Sequence, residues 1–469
     1  MATTAPRSTQ STLESAAARP SSARPSLPPG PRMHPLLQTL AWAIAPTWVM
    51  DRCARVLGDS FTLTFFPSGM KLTLVSDPEA VKTVFTAPPE VAPSGTASSP
   101  IAGIVGPSSV LTLTGPEHMR QRKLLLPPFH GERMREYEDV IVEATRRDMA
   151  GWPRGRPMRV QARSRAITLE VILRAVFGVE AERMGRLREA ITGLMQPSNT
   201  LAILLFALRR PRPGPPTGSI GRSLARLDEV IYEELARRRE QADLAERSDI
   251  LSLLMQARDE DGSPMTDAEL RDELVTLLLA GHETTATSVA WAIERLVRHP
   301  DKLARLVEEL DSGGDGGSDD YLTAVVNETL RVRPVVPIVV RVLQQELRVG
   351  EHTLPVGTRV TPSIYLTNRN PEVYDGPEEF RPERFLEDGP ETFSWIPFGG
   401  GIRRCIGASF AQLEMKVILR TILGELEPEL PGGAGRGRRG EGTRRRAVTL
   451  VPSAGARVVW RDRTAARTS

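Results

Sequence analysis

The sequence predicts a mainly α protein with a few small sheets. Alternating β-rich patterning is confined to three short regions, at 61–75, 346–364 and the stretches "AVTLVP" and "ARVVWR" close to the C-terminus. Residues 265–299 form one long helical run, and most of what remains reads as shorter helices with no internal repeat. With 469 residues, 40% of them hydrophobic and 25% charged, the chain is globular in composition and long enough to bury a large core.

Composition excludes several classes of function. Lys plus Arg number 61 against 58 Asp plus Glu, so a net charge of +3 gives no ground for a nucleic-acid partner. Two cysteines, Cys53 and Cys405, rule out a disulfide framework and fit a reducing, cytoplasmic setting. The six histidines show no zinc-ligand spacing. No run approaches the ~18 apolar residues of a spanning helix, so no transmembrane anchor is expected.

In chain order, residues 1–26 read as a disordered tail, and "SLPPGPR" at 26–32 as a stiff lead-in to one domain over 27–462, with 463–469 a second tail. "FTLTFF", "PSG" and "KLTLV" make a hairpin. "RRPRPGPPTGS" at 209–219 breaks two helical stretches. "PGGAGRGRRGEGTRRR" at 431–446 reads as a mobile surface loop; it lacks the interleaved aromatics of an RNA-binding segment.

The long helix opens on a capping box, Thr266 with Glu269, and Pro300 ends it. It would span roughly 50 Å and cross the domain. Its centre, Ala280-Gly281-His282-Glu283-Thr284-Thr285, breaks the apolar pattern. A glycine there costs roughly 1 kcal/mol against alanine, and a buried carboxylate is costly unless paired. Either the hydroxyls satisfy backbone carbonyls, or a ligand presses against Gly281 with an acid and an alcohol beside it. Further on, Glu328 and Arg331 share a helical face, and Arg384 in "FRPERF" could join them to lock that segment.

Cys405 lies just before a helix starting near Ala408, behind three glycines and between charges that favour a thiolate. Three readings compete: a structural buried cysteine, a nucleophile, and a single thiolate holding a metal cofactor. The last accounts for the glycines, Arg403, Arg404 and the lack of other ligands together. One-cysteine iron ligation is the mode of haem-thiolate proteins.

Phe398-x-x-Gly401-x-Arg403-x-Cys405-x-Gly407 resembles the haem-binding signature of the cytochrome P-450 family, soluble bacterial type. Ala280-Gly281-x-Glu283-Thr284-Thr285, Glu328-x-x-Arg331 and Pro382-Glu383-Arg384-Phe385 follow the family's order, and the likeness runs from about residue 27 to 462. It implies the P-450 fold, a helix-rich body with a small β-rich subdomain and haem b between the long helix and the cysteine-loop helix. It implies Cys405 as axial ligand, and Glu283 and Thr284 as the acid–alcohol pair that delivers protons. Gly281 would leave room for haem and oxygen, and Phe398 and Gly407 would shape the ligand loop. His118, Arg122, Arg341 and Arg403 would hold the propionates, while Glu328, Arg331 and Arg384 would be fold residues.

The implied activity is a monooxygenase that hydroxylates or epoxidises a lipophilic small molecule with dioxygen. The alternatives are a haem-thiolate isomerase, dehydratase or coupling enzyme, or a non-catalytic haem sensor. Its electrons would come from NAD(P)H through a ferredoxin or flavodoxin and a reductase. Arg120, Lys123 and Arg404 would form the docking face, and the chain would act as a monomer. Substrate-facing pieces would be 91–111, 199–220, Leu277 to Ala280, Val335 to Val340 and the turn near Val451.

Overall fold

The computed structural model describes residues 25–95, 101–131, 133–178, 181–194, 216, 218–313, 318–387, 389–432 and 440–463. The chain opens with α1 (Pro35–Ile44) and α2 (Pro46–Leu57), each with proline in its first turn, where no amide donor is lost. The hairpin β1 (Ser60–Phe65) and β2 (Met70–Val75) follows as expected, in a register that opposes Phe61 to Leu74 and Leu63 to Leu72. Then come α3 (Pro78–Thr86), α4 (Ala102–Val105), α5 (Gly115–Leu125), α6 (Arg133–Met149), β3 (Pro157–Arg159), α7 (Val160–Phe177) and α8 (Ala181–Leu194). The middle of the chain is α9 (Gly218–Arg239), α10 (Ile250–Gln256), α11 (Asp267–Arg298), α12 (Pro300–Ser312) and α13 (Asp320–Val332).

Short strands β4 (Arg341–Val342), β5 (Leu347–Val349), β6 (His352–Leu354) and β7 (Arg359–Pro362) lead through α14 (Ile364–Thr367) to α15 (Ala408–Glu425). The chain closes with β8 (Leu426–Glu429), β9 (Thr443–Arg446), β10 (Thr449–Pro452) and β11 (Arg457–Asp462). Among the described residues the main sheet runs β1-β2-β7-β4, with β2 and β7 parallel, and a second runs β3-β11-β8. The expected loop at 431–446 is corrected at its end: Thr443–Arg446 pairs antiparallel with β10, and 433–439 lies outside the described residues. Most of 209–219 also lies outside, and α9 already begins at Gly218.

α11 is the spine of the core. Its capping box is complete, Thr266 Oγ1 receiving the Glu269 amide and Glu269 receiving the Thr266 amide. Leu270, Leu274, Leu278, Val289, Ile293 and Leu296 are buried against α7, α13 and α15. That packing fixes which stripe of α11 meets the cysteine-loop side of the molecule. A separate cluster, with Trp42, Met50, Phe61 and Leu63, joins α1 and α2 to the main sheet.

Candidate active site

Cys405 is held in a tight loop between a single 3-10 turn, Gly401–Arg403, and the start of α15. Its amide donates to the Phe398 carbonyl at 2.9 Å, and the Gly407 amide donates to its sulfur. The Phe398 ring meets Trp395 edge-on at 6.2 Å, which anchors the loop's entry. Two of the loop's glycines are required by a contact within the chain. Gly401 has φ +65°, and a Cβ there would collide with the Phe85 carbonyl of α3; a Cβ on Gly400 would lie 2.7 Å from the Phe85 ring. They let the loop close onto α3.

The helix start does not by itself ionise the thiol. Burial pushes the Cys405 thiol up, and the Gly407 amide, Arg404 and Arg122 only oppose that. A bound cation is what would keep this sulfur a thiolate. The cysteine is nevertheless accessible, unlike buried Cys53.

Four basic groups gather on the same side. His118 and Arg122 stand one turn apart on α5, Arg341 comes from β4 and Arg403 from the cysteine loop. Burial, then Arg403, Arg122 and Arg341, lower the His118 pKa to about 4. Burial, then Arg341 and Arg122, lower that of Arg403 to about 10, and burial takes Arg341 to about 10. Arg403 donates to the carbonyls of Val110 and Leu113, and Arg341 to that of Val340. Among the described residues no carboxylate pairs with any of the four, and His118 Nδ1, on a side chain 2% exposed, has no partner. Half-desolvated guanidiniums, with Arg341 and Arg122 repelling Arg403 and a neutral imidazole beside them, are made for an anion. One accessible sulfur beside donors for two carboxylates fits an iron porphyrin with its propionates.

On α11, Ala280 is exposed and Leu277 and Thr284 half-buried, one stripe of the helix. The Thr284 hydroxyl donates to the Ala280 carbonyl at 2.7 Å, and Thr285, Thr287 and Ser288 likewise bond one turn back. The missing side chain of Gly281 points at Ile172 of α7, 3.1 Å from a Cβ placed there, so any larger residue would crowd the packing of α11 on α7. Glu283 is buried between two guanidiniums, Arg165 at 2.8 Å and Arg446 at 3.3 Å. Burial raises its pKa and the two arginines oppose the rise.

The chain matches the cytochrome P-450 family model over residues 28–444. The chain belongs to the cytochrome P-450 family. It is 40% identical over 437 residues to "Putative cytochrome P-450 135B1" of Mycobacterium tuberculosis, covering 92% of this chain and 91% of that one. It is 41% identical over 416 residues to "Putative cytochrome P-450 137" of the same organism, covering 88% and 85%. The cytochrome P-450DA heme domain superposes with TM-score 0.80 at 23% identity, covering 94% and 98%. The retinoic acid-bound cyanobacterial CYP120A1 does so at 0.76 and 25%, covering 94% and 100%. The fold is therefore the P-450 fold, and the family is one of haem-thiolate monooxygenases.

The P-450 Glu-x-x-Arg pair behaves as a fold element. Glu328 accepts from Arg331 at 2.7 and 2.9 Å, from the Arg381 amide at 2.7 Å and from Arg384 at 3.2 Å. Arg331 spends its other donors on the carbonyls of Asn368, Pro377 and Glu379. The expected docking face is reduced. Arg120 is paired with Asp259 and Glu269, and Lys123 with Glu260, because the 259–269 turn and start of α11 lie against α5. Arg404 is exposed and makes no ion pair among the described residues. No described helix is long and apolar enough to cross a membrane.

Sequence reasoning missed the partners of the site. Arg165 and Arg446 are far from Glu283 in the chain, and nothing local marks them. Glu414, buried on α15 and bonded to Thr285, has its pKa raised to about 8 by burial. Its signal was present: a lone carboxylate in the apolar stripe of "FAQLEMKVIL". Glu273 was legible the same way; it accepts the Val110 amide at 2.7 Å and ties the 106–112 segment to α11.

Proposed function

We propose that this P-450 inserts one oxygen atom of dioxygen into a lipophilic small molecule by hydroxylation or epoxidation. The observation that carries the reading is one accessible thiol, Cys405, beside four basic groups that no carboxylate of the described residues neutralises. Bound through Cys405, haem supplies dioxygen activation, which the chain's own side chains cannot perform. His118, Arg122, Arg341 and Arg403 hold the propionates, and Phe398 and Gly407 keep the ligand loop in shape.

The second oxygen atom leaves as water, so protons must reach the α11 stripe from outside. Thr284 presents the hydroxyl on the accessible side and Glu283 is the nearest acid in sequence. Swinging away from Arg165 or Arg446 would let Glu283 exchange protons with solvent and with Thr284. Electrons come from NAD(P)H through a separate ferredoxin or flavodoxin and its reductase, with Arg404 on the docking side. Leu277, Ala280 and the mainly apolar 335–340 segment suit a hydrophobic guest, in keeping with the retinoic acid held by the cyanobacterial neighbour. NAD(P)H-dependent turnover of a lipophile library with surrogate redox partners tests the reading. An oxygenated product supports it, and haem-loaded protein that consumes no NAD(P)H with any guest would count against it.

A further inference from the structure

Helix α1 buries both of its polar side chains and exposes most of its aliphatic ones. Its ten residues carry no charge, and its polar side chains, Gln38 and Thr39, are buried at 4% exposure each, beside Trp42 and Ala43. Both are used up on the sheet: Gln38 Oε1 accepts the Thr64 amide and Thr39 Oγ1 the Phe66 amide, each at 2.9 Å. Leu36, Leu37, Leu40 and Ile44 point outward along one face, Ile44 at 71% exposure. Trp48, 56% exposed at the start of α2, and exposed Phe66 at the hairpin tip extend the patch. Phe66 is 6.5 Å from the ring of His34, which caps α1. A contiguous exposed apolar patch of this kind marks an interaction site.

The rim is basic. Arg32, Arg52, Arg55 and Lys71 are exposed and make no hydrogen bond or ion pair among the described residues. The nearby acids, Asp51 and Asp59, are occupied by the hydroxyls of Tyr365 and Ser76. Strand β9, joined to α2 through Thr47 and Thr443 at 3.2 Å, adds exposed Arg444. Residues 1–24 contain three arginines and one acid, and only Met1 and Leu13 as large apolar side chains. That segment cannot supply an apolar cover of this size. A second copy docked by a two-fold axis would set the same cations against each other.

We propose that this face docks on an anionic lipid bilayer. The side chains of α1, with Trp48 and Phe66, enter the boundary between headgroups and acyl chains, and the arginines meet the phosphates. Ten residues span about 15 Å, too short to cross, so α1 lies in the plane of the surface.

Vesicle sedimentation of the full-length haem-loaded protein tests this, with phosphatidylcholine alone and with phosphatidylglycerol added. The protein should pellet with the anionic vesicles about tenfold better than with neutral ones, and added salt should weaken binding. Trp48 emission should shift to the blue on binding. Leu37→Ser with Ile44→Ser should lower binding by about tenfold or more. Arg52→Glu with Arg55→Glu should abolish the salt-sensitive part. These exposed positions leave the haem spectrum unchanged, which controls for folding. Failure of the unmutated protein to bind anionic vesicles would overturn the proposal. So would binding that neither double variant alters. A dimer dissolved by Leu37→Ser with Ile44→Ser, without vesicle binding, would assign the face to a second copy instead.

Discussion

Two buried clusters of charge in this protein have opposite bookkeeping. Around Glu328, one carboxylate and two arginines are fully hydrogen-bonded, and the donors left over are spent on backbone carbonyls. Around His118, Arg122, Arg341 and Arg403, four basic groups gather with no acid among the described residues; burial lowers the proton affinity of all four, and repulsion by the others adds to it at His118 and Arg403. The first cluster is complete within the chain and holds the fold. The second lacks an anion within the described residues, which is why we assign it to the proposed site. Residue type does not separate them, since both are Arg-rich; compensation does.

The largest expected effect comes from breaking the first cluster. Glu328→Ala leaves Arg331 and Arg384 buried without their acceptor and should cost roughly 3–5 kcal/mol, read as a fall in Tm or loss of soluble protein. Next in size, Arg341→Leu and Arg403→Leu should leave the Tm of the haem-free chain unchanged or higher. Each should speed haem loss to an acceptor globin by about tenfold, a cost of the order of one charge-assisted bond. Instability of haem-free Arg341→Leu comparable to that of Glu328→Ala would erase the distinction between the clusters.

Smaller again, Thr284→Ala removes a hydroxyl that bonds only within its own helix. Tm should move by less than about 1 kcal/mol in stability terms, while product formed per NAD(P)H consumed should fall several-fold; unchanged coupling would remove Thr284 from the proton path. The subtlest expectation concerns pH. The Glu414 carboxyl ionises near 4.5 when unfolded but keeps its proton to about 8 when folded. Between those values the folded state binds more protons, so stability falls as pH rises. Glu414→Gln should flatten that slope in thermal melts between pH 5 and 8.

What could be read in the sequence was local. The Thr266–Glu269 cap, the Glu328–Arg331 spacing and the cysteine loop are encoded within a few residues of each other, and the structure has the cap and the pair bonded. Contacts between distant segments could not be read. Glu283 needs Arg165 on α7 and Arg446 on β9, and Gly401 is a glycine because of the Phe85 carbonyl. The Cys405 thiol also went against the local signal, since desolvation outweighs the helix start. The outward apolar face of α1 could not be read for the same reason: it follows from the sheet taking Gln38 and Thr39.

The central claim is that Cys405 binds haem iron as a thiolate. The most direct measurement is the absorption spectrum of the reduced, carbon monoxide-bound, haem-loaded protein. The account predicts the red-shifted Soret band of thiolate ligation, lost in Cys405→Ser. A band at the position of histidine-ligated or thiol-ligated haem in fully loaded, folded protein would contradict it.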